Sequence, residues 1–592
     1  MRVSALFAVS ILSLSTSFVA NAVDNAGNSS EKHEKTSDNY NLILVGGGLS
    51  TCSSYSQSNC HGEPFSASTK QQSFYQINEN TLRALLKSPP FLQQPEAYRH
   101  DFERVIKNIY AKQKNKVLSS EALGDAFARI NFTHLNGSVF YQELPDALYY
   151  AMLDFFEMPQ TDDKGNRKKE VTSLEHNLNP HSTAIYRRFV DMARSRLNAP
   201  AQKPKVAVIT ASSRDPFEVA DFYTSVFEDA GAEVIWLPLD KTYQQARALE
   251  NKGLDGCSRL NAIRADNGSF NREAIYPLRT ALQQQYCQQP QQLLQQLSTV
   301  QGIFFNGGDQ SLTLASLLTP EGKDSIELKR IKQRLQAGEL VVGGTSAGTA
   351  VQSGGVFEQR PVPMISNGDS ATAFARGPFA TPPPSIRCSA DNPCQHGLQG
   401  GDLTYRARGG SGLFTLGIMD THFSERNREA RLALLSTYTG TRFGFGVDEA
   451  TALMVNTNSE PVQMEVIGQG GVFISDSKSG IYKLQDGKRQ LVASSHFLNH
   501  GDKLTYAKET GELTFELAGK AANEVQKVEP PLKEGVWRRL LSHNCGTREP
   551  LNWTLDKVAY VTMPTEDTRF AIGAVAGEPR CSYTHLAFGA EN

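Results

Sequence analysis

Leu340-Val341-Val342-Gly343-Gly344-Thr345-Ser346-Ala347-Gly348 is the stretch on which the fold reading turns. An apolar, β-branched run ends in a tight small-residue turn that carries a serine. A strand followed by a sharp turn into a helix lifts such a hydroxyl clear of the sheet, and the flanking glycines let the backbone bend without a Cβ clash. That geometry suits a nucleophile. The plainer alternative is a serine that only caps the helix after it.

Outward from this turn, similar runs recur. Asn41–Val45 precedes Gly46-Gly47-Gly48, and Lys205–Ile209 precedes Thr210-Ala211-Ser212. Glu233–Leu237 precedes Pro238, Gly302–Phe305 precedes Asn306-Gly307-Gly308-Asp309-Gln310, and Leu413–Met419 precedes Asp420. Such runs read as strands buried on both faces. Helical patterns such as 216–230 and 325–337 lie between them. The alternation predicts an α/β fold with a doubly wound, mostly parallel sheet, whose chemistry gathers at the carboxyl ends of the strands.

Two regions depart from this rhythm. Residues 50–203 are polar and mostly helical in pattern, and read as a long insertion. Residues 359–410 read as a loop excursion, with Pro382-Pro383-Pro384 excluding helix or central strand near its middle. From about Val462 the pattern changes to short alternating strands, and strong helical periodicity is lacking thereafter. The expected organisation is an α/β domain over 41–480 followed by a β-rich extension over 481–592.

The 592 residues exceed a single domain, and the net charge of −2 gives no pull toward nucleic acid. At the N-terminus Arg2, the apolar stretch Ala5 to Val19 and Ala20-Asn21-Ala22 fit a cleavable export signal over 1–22. Residues 23–40 read as a polar leader. No later segment is a long uncharged apolar stretch, so no membrane span is expected in the mature protein, which would be secreted or periplasmic. The eight cysteines are even in number, and export would make disulfides plausible. Proximity suggests 52–60, 257–287, 388–394 and 545–581, although spacing alone does not fix connectivity. Neither metal nor cofactor is expected, because Cys and His do not recur at zinc spacing. Gly46-Gly47-Gly48 is a weak dinucleotide signal, since Thr51 stands where the fingerprint wants its third glycine.

A serine nucleophile needs a base and a group to orient that base. His422 follows the run ending at Met419, and Glu449 follows Gly444–Val447. The order Ser, His, Glu differs from that of α/β-hydrolases, where the acid precedes the histidine, and so argues against a lipase or esterase of that fold. Taken singly, His422 reads more simply as a buried core histidine and Glu449 as the partner of a nearby arginine; together with Ser346, in order and at strand ends, they read as a catalytic set. An oxyanion hole would come from the Ala347 amide and from Gly308 or Asp309. Gln310 could meet substrate through its amide.

Four separated motifs now stand in order: Phe305–Gln310; Gly343–Gly348; Asp420-Thr421-His422-Phe423 with Arg426, Arg428 and Arg431; and Gly446–Ala452. Together they resemble cyanophycinases, serine exopeptidases related to aspartyl dipeptidases, with a fold like class I glutamine amidotransferases and so flavodoxin-like. The resemblance covers roughly 41–48 and 204–480. It implies Ser346 as nucleophile, His422 as base and Glu449 as orienting acid. Gln310, Asp420, Thr421, Arg426, Arg428 and Arg431 fall at substrate-pocket or site-supporting positions. Thr421 stands where the family often has Gln. Positions 426, 428 and 431 do not share one helix face, so at least one of these arginines should be structural.

The implied substrate is cyanophycin, a poly-aspartate chain with arginine on each β-carboxyl, and the implied product is the β-aspartyl-arginine dipeptide. Two other readings remain. One is an aspartyl or isoaspartyl peptidase of the same fold, and the other is a non-catalytic exported binding protein. A homodimer is compatible with either.

Overall fold

The expected runs form five parallel strands: β1 (Leu42–Val45), β2 (Lys205–Ile209), β3 (Glu233–Trp236), β4 (Gly302–Phe305) and β5 (Val341–Thr345). They lie in the spatial order β3-β2-β4-β5-β1. The structure is a computed structural model that describes residues 39–133, 135–199, 201–385, 388, 394–529 and 535–592. The expected signal at 1–22 and nearly all of the leader lie outside the described residues. Tyr40, assigned to the leader by its neighbours, bonds Glu465 Oε2 at 2.9 Å.

Strand side chains alternate between two cores. Ile43 and Val45 pack with Ile185 and Phe189 of Pro180–Arg194 and with Val226 and Phe227 of Ala220–Asp229. Leu42 and Leu44 face the opposite layer, with Tyr243 of Lys241–Glu250, Leu317 of Gln310–Leu317 and Leu328, Ile331 and Leu335 of Ile326–Gln336. Both faces are therefore dry, which is why these strands read as unbroken apolar runs rather than alternating ones.

Beyond β1 the sheet turns antiparallel. Thr451–Asn456, Val462–Gly468, Lys503–Ala507 and Glu512–Glu516 complete nine strands. The run 413–419 does not join this sheet as expected. Its strand, β6 (Gly417–Thr421), pairs in parallel with β7 (Phe443–Val447) at the edge of a second sheet of eight strands. Leu413, Phe414 and Leu416 are apolar because they plug the core ahead of the strand. Phe443, Phe445, Val472 and Ile474 of the second sheet share that core with the first. The remaining strands of the second sheet come mostly from residues beyond 480, so the C-terminal residues extend both sheets.

Within 50–203, helices Glu96–Gln113, Ser120–Ala128 and Asp146–Phe156 enclose their own core around Phe102, Phe127 and Met152. That core joins the sheet region through buried Arg272, which pairs with Glu157 and Asp215 at 2.7 Å each. The excursion 359–410 is more ordered than a loop. Met364–Asn367, Pro378–Phe379 and Leu403–Arg406 form a small sheet beside helix Ser370–Arg376, with the Arg376–Asp402 pair at 2.6 Å beneath it. Ile365, Phe374 and Leu403 supply its core, while Pro382-Pro383-Pro384 lies outside regular structure as anticipated.

A helix at Val536–His543 was not legible from periodicity. Its eight residues bury only Trp537, Arg538, Leu541 and Ser542, too short a stripe to stand out. The cysteines pair as 52–60, 257–287, 388–394 and 545–581. Four disulfides are compatible with an extracellular or periplasmic protein. No helix among the described residues is long and apolar enough to cross a membrane.

Candidate active site

Ser346 sits at the end of β5 with φ 54° and ψ −117°, a strained conformation for a residue with a side chain. The elbow is held by its amide donating to Val45 O at 3.0 Å, and by the short helix Ala347–Ala350 that starts at once. Glycine is required at its base: a Cβ on Gly344 would lie 2.2 Å from the Gly348 carbonyl oxygen.

His422 and Glu449 follow the ends of the parallel pair β6 and β7, which is why residues far apart in sequence arrive side by side. His422 Nε2 lies 2.8 Å from Ser346 Oγ, and His422 Nδ1 lies 2.6 Å from Glu449 Oε1. The imidazole is 16% exposed and the carboxylate 36%, so the group opens to solvent. Geometry of this kind lets a neutral imidazole accept the serine proton at Nε2 while Nδ1–H donates to the carboxylate.

The sequence reading passed over what holds this arrangement. Gly46-Gly47-Gly48, at the end of β1, forms its floor. Gly46 O accepts from the His422 amide and Gly47 O from the Ala450 amide, both at 2.8 Å. A Cβ on Gly47 (φ +107°) would meet His422 Cε1 at 2.4 Å, and one on Gly48 would meet Glu449 Cβ at 2.6 Å. Only bare backbone fits under the pair. The signal was visible as three glycines after a buried strand.

Glu425 was also missed. Its Oε1 accepts the Glu449 amide at 3.2 Å. Burial, with the Asp448 charge adding, pushes its pKa up to about 8, so it carries a proton at neutral pH. Burial, with the Asp448 charge adding, also raises the pKa of Glu429 on the next helix.

Of the expected oxyanion donors, Asp309 is engaged elsewhere. Its amide donates to Ser212 O at 2.8 Å, and its Oδ1 caps the following helix through the Ser311 amide at 2.7 Å. The Ala347 and Gly308 amides donate to no acceptor among the described residues. The turn before Gly308 lies against the serine, since a Cβ on Gly307 would be 3.3 Å from Ser346 Cβ. Tyr223 Oη accepts the Gly307 amide at 3.4 Å.

Most of the expected substrate contacts turn inward. Gln310 donates to Ile365 O and Ser366 O at 3.1 and 3.0 Å, pinning the excursion to the sheet edge. Asp420 is buried and takes a two-pronged pair from Arg431, Nε to Oδ2 at 2.8 Å and Nη2 to Oδ1 at 2.6 Å. Burial opposes its ionisation, but Arg431 and Arg428 outweigh that and hold the carboxyl below the usual range. Arg428 donates to Thr421 O at 2.6 Å and lies 3.5 Å from Asp420 Oδ1. Thr421 is buried. Arg426 alone of the three arginines is exposed, and its side chain makes no hydrogen bond or ion pair among the described residues.

No protein-family profile matches the chain. Curated relatives do. The chain is 27% identical over 304 residues to a cyanophycinase of Geminocystis herdmanii, covering 50% of this chain and 81% of that protein. It is 26% identical over 279 residues to a cyanophycinase of a Nostoc species, covering 47% of this chain and 65% of the relative. A cyanophycinase of Thermosynechococcus vestitus is 29% identical over 192 residues, 32% of this chain and 47% of that protein. The match thus spans a little under two thirds of the Nostoc protein and about half of the Thermosynechococcus one. Similarity at this level over about half the chain supports a cyanophycinase-like family and, with it, a hydrolase.

Proposed function

We propose that the chain is an exported serine-type exopeptidase that hydrolyses cyanophycin to β-aspartyl-arginine dipeptides. The observation that carries this reading is the continuous relay from Ser346 Oγ through His422 to Glu449, with both links within 2.8 Å. The order β2-to-β5 about the sheet, with helices on both faces, is what a glutamine-amidotransferase-like core would have, and it favours the same reading.

In this mechanism His422 Nε2 takes the Ser346 proton as Oγ attacks the scissile carbonyl. Glu449 steadies the imidazolium. The Ala347 and Gly308 amides donate to the developing oxyanion. The tetrahedral intermediate expels the amine, which receives its proton from His422, and leaves an acyl-Ser346. A water then enters, gives its proton to the same imidazole, and releases the acid. Arg426 is the cation free to meet a substrate carboxylate.

Incubating the purified protein with insoluble cyanophycin and identifying the products by mass spectrometry tests this. Release of β-aspartyl-arginine is expected, and no release from cyanophycin refutes the substrate. A second reading, a peptidase of the same fold acting on ordinary β-aspartyl peptides, is favoured by the inward engagement of Gln310, Asp420, Arg428 and Arg431. Turnover of small β-aspartyl peptides without turnover of the polymer would select it.

A further inference from the structure

The helix Val536–His543 sends one side chain back toward the candidate site. Arg538 is 4% exposed, and its Nη1 lies 2.6 Å from Asp448 Oδ2. Asp448 is wholly buried and immediately precedes Glu449. Its other oxygen, Oδ1, accepts the Ser424 amide at 2.9 Å, two residues beyond His422, while Oδ2 also accepts the Gly471 amide at 3.0 Å. One carboxylate therefore joins the loop carrying the base to the loop carrying the acid.

We propose that Arg538 is a positioning residue for the Ser346–His422–Glu449 group, and that the C-terminal helix is the element that clamps the two loops through Asp448. The inference rests on the reading of those three residues as a catalytic unit.

Three observations build the case. Asp448 has no exposed surface and lies in an acidic place, with Glu425 and Glu429 as neighbours. Burying a carboxylate there without a partner cation would be costly and would weaken its hold on the Ser424 and Gly471 amides. Arg538 is the cation paired with it, and its Nη2 also reaches Asn499 Oδ1 at 3.3 Å. The helix that presents Arg538 is itself fixed. The Val536 amide donates to Asn427 Oδ1 at 2.7 Å, the Trp537 indole donates to Tyr583 Oη at 2.9 Å, and Cys545 just beyond the helix is bridged to Cys581. The clamp thus comes from residues beyond 480 yet acts at the end of β7. A purely structural salt bridge has no need to join the loops of two functional side chains.

The test is the rate at which a fluorophosphonate reagent labels Ser346, followed by peptide mass mapping. It needs no assumption about substrate. In Arg538→Met the labelling rate should fall about 10- to 100-fold, the scale of a misplaced reacting group, while circular dichroism remains native. Guanidinium ion at low millimolar concentration should restore part of the rate, which loss of folding would not allow. Asp448→Asn added to Arg538→Met should cost little more, because the two act through one contact. Arg538→Lys, which keeps the charge and loses the fork, should fall between wild type and Met. It decides the matter if the Met variant does not fold. Wild-type labelling rates in both Arg538 variants would overturn the inference. A wild-type protein that is not labelled at Ser346 would instead overturn the triad reading, and the inference with it.

Discussion

Gly47→Ala gives the sharpest prediction about how the site is assembled. The added Cβ would stand 2.4 Å from His422 Cε1 and 2.5 Å from Nε2. Ordinary carbon contacts need about 3.5 Å, so the ring must retreat by about 1 Å. The Ser346–His422 bond is 2.8 Å now, and a retreat of that size breaks it. A misplacement on this scale costs about a hundredfold in rate. Alanine at φ +107° adds a backbone penalty of about 1–2 kcal/mol in stability. Gly62→Ala is the control: its φ is +71° and a Cβ there meets nothing within 4 Å, so it should show the backbone penalty alone. Hydrolysis kinetics and thermal melts of the two variants make the assay. Gly47→Ala turning over at the rate of Gly62→Ala would refute the argument that bare backbone is required beneath the imidazole.

Glu449→Gln should lower kcat by about 10³- to 10⁴-fold with little change in melting temperature. Steady-state kinetics check it, and a loss under tenfold would remove the carboxylate from the relay. Asp420→Asn leaves buried Arg431 and half-buried Arg428 short of their partner and should destabilise the fold by about 3–5 kcal/mol in denaturant melts; a loss below about 1 kcal/mol would contradict the inward role assigned to Asp420. Burial keeps the Glu425 proton up to about pH 8 in the folded chain, well above the usual carboxylate range near 4.5. Between those values the native state holds a proton the unfolded state has released, so this group makes stability fall as pH rises through the window, by at most about 1.4 kcal/mol per pH unit. Glu425→Gln should flatten that slope between pH 5 and about 8. A variant whose melting temperature falls with pH as steeply as the wild type's would show Glu425 ionised in the fold. Removing the Cys545–Cys581 bridge, which closes a separation of 36 residues, should cost about 3–4 kcal/mol. It should also slow Ser346 labelling if the helix Val536–His543 is loosened.

The parallel core was legible because burial on both faces leaves nothing polar to interrupt a strand: Val206, Ala207, Val208 and Ile209 have no wet side. Ser346 announced itself through the glycines its elbow requires. His422 and Glu449 could be picked out as residues just past strand ends, although the strands proved to belong to a second sheet. That error has a physical source, since apolar residues look alike in sequence whether they pair in a ladder, as Ile418 does, or plug a core, as Phe414 does. The arginines and Asp420 could not be sorted into substrate contacts and struts, because charge alone does not say which way a side chain points. The same holds for Gln310, whose amide turns to the backbone at 365–366. Arg538 gave no signal at all. Its contact with Asp448 spans 90 residues and comes from a helix too short for periodicity to reveal.

The central claim, that Ser346 attacks with His422 as its base, is tested most directly by hydrolysis in the Ser346→Ala variant. The account predicts that the variant folds, still associates with the polymer, and loses hydrolysis by several orders of magnitude. Turnover within a few fold of wild type by the purified alanine variant would contradict it.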